Sequence, residues 1–233
     1  MKIILLLLFI PVFAFGQTET ILISKFPEDR FEGGAMAFYR QLGQTIKYPR
    51  SARESGRIGT CVVSVIISPD GKFKSINFVN PLGKGIEEEV EKAFRGLEQK
   101  WLADAKAVNL QLKFIISFMI DGSILMRSSY DKNYFMEELK VVAYGSRSGP
   151  ITKSEKLIEQ LYKFLEKKKY KRAQFFADEL IRRDPFNQKW HMAKASIFIE
   201  MKDHEATCKT LLNMEELLRI KIGDELRQQY CVQ

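Results

Sequence analysis

The spacing of apolar residues changes period twice along the first half of the chain. From Phe31 to Leu42 the segment FEGGAMAFYRQL sets Met36, Tyr39 and Leu42 at helical spacing behind a Gly-Gly start, which predicts a short amphipathic helix. A turn follows. Tyr48-Pro49 biases Tyr48 towards an extended backbone, and Pro49 opens a second short helix through Glu54 that Gly56 terminates. The period then falls to two. Thr60 to Ser68, rich in Val and Ile, and Phe73 to Asn80 are separated by Pro69-Asp70-Gly71, which predicts a hairpin because Pro fixes one φ and Gly accepts the positive φ that closes the turn. Ile86 to Gln99 returns to a helical stripe of Ile86, Val90, Ala93, Phe94 and Leu97, with Glu87, Glu88, Glu89 and Glu91 early, where the helix dipole favours acids. Val108 to Phe118 alternates polar Asn109, Gln111 and Lys113 with apolar Leu110, Leu112 and Phe114 before turning wholly apolar. It reads as a long third strand.

Tyr130 to Pro150, with scattered charge and a Gly-Ser-Arg-Ser-Gly-Pro ending, reads as a linker. Beyond it the pattern is helical, near Glu155 to Lys168, Tyr170 to Arg183, Gln188 to Met201 and His204 to Met214, with a closing helix from Met214 to Tyr230 and a break at Asp184-Pro185. At a spacing of 34 residues Leu161, Phe164, Tyr170 and Ala173 fall on Ala195, Phe198, His204 and Thr207. The first set resembles the tetratricopeptide pattern and the second is degenerate, with packing of these aromatics as their role. The fold class expected is therefore α+β over residues 31–128, a linker over 129–150, and an all-α, tetratricopeptide-like region over 151–233.

Composition narrows the function. With 45% hydrophobic and 28% charged residues the chain is too apolar for disorder. Its net charge of +8 is spread along the sequence, and the dense run Lys167, Lys168, Lys169, Lys171, Arg172 reads as a solvated helix end, so no nucleic-acid partner is expected. Met1 to Gly16 reads as a signal peptide, with Lys2, the apolar stretch Ile3 to Phe13, then Ala14 and Gly16 as small residues before Gln17. The expected location is the periplasm, with an uncleaved inner-membrane anchor as the alternative. Export makes Cys208 and Cys231 a candidate disulfide, while Cys61 reads as a buried small hydrophobe. Two His, no Gly-x-Ser-x-Gly turn and no His or Cys pair at metal spacing leave no catalytic residue, metal site, cofactor or small-molecule substrate to name; an exported hydrolase stands as a remote alternative.

The segment Phe31 to Phe73 carries a resemblance. Gly33, Gly34, Phe38, Tyr39 and Leu42, then Ile46, Tyr48-Pro49, Ala52, Gly56, Gly59, and Val62 to Ile67 with Asp70-Gly71, are similar to the start of the TonB C-terminal domain of Bacteroidetes-type energy transducers. Glu88, Glu89, Val90, Trp101 and the strand Val108 to Phe118 extend the similarity over about residues 31–120. The resemblance implies a three-stranded antiparallel sheet with two helices on one face. It also implies uptake of an extended peptide, the TonB box of an outer-membrane transporter, as an added strand on the sheet edge. Mapped onto this sequence, the edge is Val108, Asn109, Leu110, Gln111, Leu112, Lys113 and Phe114, with Tyr48, Pro49 and Arg53 as a polar flank. The expected role is a non-enzymatic adaptor for an outer-membrane transporter or another envelope protein. Homodimerisation by edge pairing is a second use of the same strand, and a membrane-anchored transducer is the alternative.

One further segment is singled out. The stretch EELKVVAYGSR, Glu137 to Arg147, is similar to the acidic, Val-rich, Tyr-Gly stretch near the plug start of Bacteroidetes-type TonB-dependent transporters. It reads either as a short β segment that finishes the sheet, or as a tethered strand in which Val141 to Tyr144 pairs with Val108 to Phe118 and competes with a partner.

Overall fold

The computed structural model describes residues 19–104, 108–126, 128–144 and 151–231. The expected signal peptide, residues 1–16, lies outside the described residues, as do Gly145 to Pro150 at the end of the expected linker. The first half contains α1 (Gly34–Thr45), α2 (Arg50–Glu54), β2 (Gly59–Ile67), β3 (Phe73–Asn80), α3 (Ile86–Gly96) and β4 (Asn109–Ile120), preceded by β1 (Thr20–Leu22) and followed by β5 (Leu139–Ala143). The β2–β3 turn closes as its chemistry dictates: Gly71 has φ +82°, and its N–H donates to the Ser68 carbonyl at 3.0 Å.

The expected antiparallel strands are present, with β2 paired to β3 on one side and to β4 on the other. The sheet is larger than expected. β1 and β5 both join β4 in parallel, giving five strands in the order β1-β4-β2-β3 with β5 also on β4. β1, with three residues, is too short to show a period in the sequence, whereas β5 falls in the Glu137 to Arg147 stretch read as a short β segment.

Strand alternation sends the two sets of side chains to two cores. Cys61, Val63, Val65 and Ile67 of β2, with Leu110, Leu112, Phe114, Ile116 and Phe118 of β4, pack under Phe38 and Leu42 of α1 and Val90 and Phe94 of α3. Trp101 and Phe31 complete this core, with ring centroids 5.4 Å apart. The opposite face is covered as well. Val62 and Ile115 meet Tyr134, Phe135, Phe186 and Leu217, so the sheet lies between two layers rather than having helices on one face alone. The linker expected over 129–150 is corrected by the same contacts. Tyr134, Phe135 and Met136 are buried and β5 belongs to the sheet, because their apolar side chains find the uncovered face and edge of β4.

The second half is helical: α4 (Ser154–Glu166), α5 (Tyr170–Arg183), α6 (Gln188–Glu200), α7 (His204–Leu218) and α8 (Asp224–Cys231). Leu161 and Ala173 are fully buried in the first hairpin, and their 34-residue counterparts Ala195 and Thr207 are buried in the second. The single closing helix expected over Met214 to Tyr230 is split, because Arg219 adopts a left-handed conformation and caps α7. A disulfide between Cys208 and Cys231, with Cα atoms 5.0 Å apart, ties α8 to α7. The run Lys167, Lys168, Lys169, Lys171, Arg172 is exposed at the α4–α5 turn.

Close approach and charge hold the helices on the sheet. A Cβ on Gly59 would lie 2.5 Å from the Arg182 carbonyl oxygen, so only glycine allows β2 to meet α5 there. Asn80 Nδ2 donates to the carbonyls of Thr60 at 2.7 Å and Ile181 at 3.4 Å. Arg57 pairs with Glu179 of α5 at 2.7 Å, and Arg182 and Arg183 share the same carboxylate. Burial alone would raise the Glu179 pKa; the three guanidiniums outweigh it and hold the carboxyl below its ordinary range.

Two outcomes follow. Gly59→Ala should destabilise the protein by roughly 1–3 kcal/mol, as overpacking does, and lower the thermal midpoint; an unchanged midpoint would contradict the close approach. Because the folded-state pKa of Glu179 is depressed, its contribution is complete above the ordinary glutamate range and is lost progressively as pH falls from that range through the lower folded-state value. The urea midpoint of the wild type should therefore drop more between pH 7 and pH 4 than that of Glu179→Gln.

Candidate functional site

β4 has hydrogen-bonding groups on both sides of its backbone. The inner side is taken by β2 in an unbroken antiparallel register from Gly59↔Phe118 to Ile67↔Leu110. The outer side, expected to be open, is filled by three pieces of this chain. At its start Asn109 N donates to the Glu19 carbonyl at 2.7 Å and Ile23 N donates to the Gln111 carbonyl at 3.0 Å, flanking the β1 register Thr20↔Asn109 to Leu22↔Gln111. Next, Met136 N donates to the Lys113 carbonyl at 2.7 Å. Finally β5 pairs from Ile116↔Leu139 to Ile120↔Ala143. The expectation of an exposed edge at Val108 to Phe118 is thus corrected: buried backbone groups demand partners, and the flanking segments supply them. Of the two readings of the Glu137 to Arg147 stretch, the pairing itself is present, with Val141 opposite Phe118 and Val142 opposite Met119.

The side chains of this strand divide by face. Leu110, Leu112 and Phe114 are core, and half-buried Val108 packs beside them. Asn109, Gln111 and Lys113 lie on the opposite face, where two of them pair within the sheet and Lys113 reaches the helical layer. Asn109 Nδ2 donates to Thr20 Oγ1 at 3.2 Å, and Gln111 Nε2 donates to Ser64 Oγ at 2.8 Å. Lys113 is 3% exposed; its Nζ donates to Glu216 Oε1 of α7 at 2.5 Å and to the Tyr134 hydroxyl at 2.6 Å, lying over the Tyr134 ring. Arg219 also stacks on that ring, 3.8 Å from its centroid. A cleft of about 1190 Å³ between this face and the helices is lined by Gln111, Asn77, Lys194, Lys209 and Glu216 among others.

The polar flank is dispersed. The Tyr48 ring packs edge-on against Phe118, 5.4 Å between centroids, and its hydroxyl donates to the Arg57 carbonyl; burial pushes its pKa up. Tyr48 therefore serves the β5 half of the strand, away from Asn109 to Lys113. Pro49 sits beside Gly85 at the start of α3, and Arg53 lies half-buried on α2. Sequence reasoning missed β1, Met136, Tyr134 and Glu216. Thr20-Ile21-Leu22 carries β-branched residues, but three positions cannot establish a strand.

Two groups with chemical reactivity elsewhere are buried. Cys61 is fully buried in the first core, and that burial pushes its thiol pKa well up. His191 is buried with Nε2 on the Pro185 carbonyl at 2.8 Å, and burial lowers its pKa. Among the described residues no cluster of three or more His, Cys, Asp or Glu is placed to hold a metal ion.

Residues 44–120 match the family described as Gram-negative bacterial TonB protein C-terminal. A solution structure of the Helicobacter pylori TonB C-terminal domain (residues 194–285) is similar at 20% identity over 34% of this chain and 88% of that one, with a TM-score of 0.29. No curated protein matches the chain at a significant level.

Lys113 gives this face its test. Its side chain is 4% exposed and that of Glu216 39%, so removing the carboxylate strands a buried ammonium. Glu216→Ala should cost about 1–3 kcal/mol in chemical unfolding, and adding Lys113→Met should recover most of that loss. No recovery would mean that the packing of Glu216, rather than its charge, stabilises the junction.

Proposed function

We propose, from a sheet domain whose residues 44–120 belong to the TonB C-terminal family, that this chain is a non-enzymatic adaptor of the cell envelope. It takes up an extended segment of an outer-membrane transporter, or of another envelope protein, along the outer side of β4. One observation carries the reading. The family match spans β2, β3, α3 and β4, whereas β1 and β5, which occupy the outer side of β4, lie outside it at residues 20–22 and 139–143. The matched residues by themselves leave the outer side of β4 unpaired, and segments outside the match cover it. Main-chain pairing gives such a site affinity for any extended partner, and side chains set preference. The helical layer, with its two hairpins, offers a second platform for protein contact.

Removal of residues 1–16 would separate a free periplasmic adaptor from an anchored transducer, and intact mass of the protein recovered from cells reads it directly. Among the described residues no helix is long and apolar enough to cross a membrane.

A peptide containing the TonB box of an outer-membrane transporter, titrated into the labelled protein, should shift the amides of Val108 to Phe114 and of the segments that pair with them. Shifts confined to the helices, or none at millimolar peptide, would contradict the reading.

A further inference from the structure

The three pieces on the outer side of β4 are not equally held. β5 sends Val141 into the main core and Ala143 into a second cluster with Ile58, Ile120 and Leu125, and the Ala143 carbonyl accepts from Asp121 N at 2.9 Å. Leu139 lies against Gly43 of α1, where an added Cβ would meet it at 3.4 Å. Met136 is 2% exposed. β1 itself sends no side chain into a core, and the chain is anchored only beyond it, at Ile23 and at Phe26 among Phe31, Phe38 and Trp101. All three of its residues are exposed, Ile21 and Leu22 at 38% each, and the nearest apolar support is half-buried Ile23 beyond its end. What holds β1 is backbone pairing over Asn109 to Gln111 and the contact of Thr20 Oγ1 with Asn109. Backbone pairing is the interaction another extended chain reproduces without loss.

We propose that β1 is an internal ligand of the acceptor strand, and that an extended parallel strand of another polypeptide replaces β1 while Met136 and β5 stay in place. This rests on the reading of β4 as the acceptor and names its regulation. The incoming strand must bring a carbonyl where Glu19 offers one to Asn109 N and an N–H where Ile23 offers one to the Gln111 carbonyl. It must also carry a hydroxyl at the place of Thr20, within reach of Asn109 Nδ2, and an apolar side chain three residues later, where Ile23 meets the core. A segment of the form Thr/Ser-x-x-apolar in extended conformation is the chemistry selected, and Asn109 is the residue that selects the hydroxyl.

A tethered strand competes at an effective concentration of order mM, so weakening β1 raises the affinity for the same strand offered in trans. The test uses a labelled peptide of residues 19–25, ETILISK, and the full chain carrying Ile23→Pro, which deletes the N–H given to Gln111. Fluorescence polarisation should show the variant binding the peptide about tenfold or more tightly than the wild type, and a peptide with Thr20→Val should bind the variant several-fold less tightly. Should Ile23→Pro fail to fold, the double variant Ile21→Gly, Leu22→Gly weakens β1 without touching a buried side chain, and the same gain is expected of it. A folded variant that binds the peptide no tighter than the wild type overturns the proposal. Uptake of ETILISK but of no transporter peptide by the variant upholds the exchange and overturns the transporter reading. Equal uptake of a transporter peptide by wild type and variant upholds that reading and overturns the exchange.

Discussion

A strand buried in a sheet must have both sides of its backbone paired, and in this protein that requirement falls on β4. It is the longest strand, with twelve residues, and its inner side is satisfied by the antiparallel run of β2. Its outer side is met in sequence by Glu19 to Ile23, by Met136 and by β5. Segments from either flank of the family-matched region are therefore drawn to one line, and the chain's path over residues 128–144 follows from it. The arrangement is parallel on the outer side and antiparallel on the inner, so the added strands reach β4 through connections longer than a hairpin turn.

The other consequence is that β4 itself has no exposed residue on either face. Its polar residues Asn109, Gln111, Lys113 and Ser117 would face water in an isolated antiparallel sheet. Here they meet partners one by one: Thr20, Ser64, Glu216 with Tyr134, and Thr60, the last at 3.1 Å between hydroxyls. The helical layer is fixed by the Lys113–Glu216 pair and by the Arg57–Glu179 contact, around an apolar patch of Val62, Ile115, Phe135 and Leu217. Specific polar pairs of this kind set orientation more than they add stability.

Much of the fold was legible in the sequence because period and turn chemistry are local. The β2–β3 hairpin, the stripe of α3, the length of β4 and the hairpins on either side of Asp184-Pro185 all come from residues that decide their own conformation. What was not legible depends on long-range satisfaction. Thr20 to Leu22 is a strand only because β4 has unpaired groups, and Tyr134 and Phe135 are core only because the second sheet face needs cover. The alternation at Asn109, Gln111 and Lys113 marked two environments correctly, but a polar environment made by neighbouring side chains looks the same in sequence as solvent. For the candidate site, the strand and its pairing with the Glu137 to Arg147 stretch were identifiable, whereas its occupancy by β1 and Met136 was not.

The account stands on β1 leaving β4 while the remainder of the sheet holds. Native-state hydrogen exchange, read residue by residue, measures this without any partner. The amide of Asn109, bonded outward to Glu19, should exchange through a local opening at least about a hundredfold faster than the inward amides of β2 such as Val63, as expected for a segment at the low end of local stability. Protection of Asn109 equal to that of Val63, with both exchanging only on global unfolding, would contradict it.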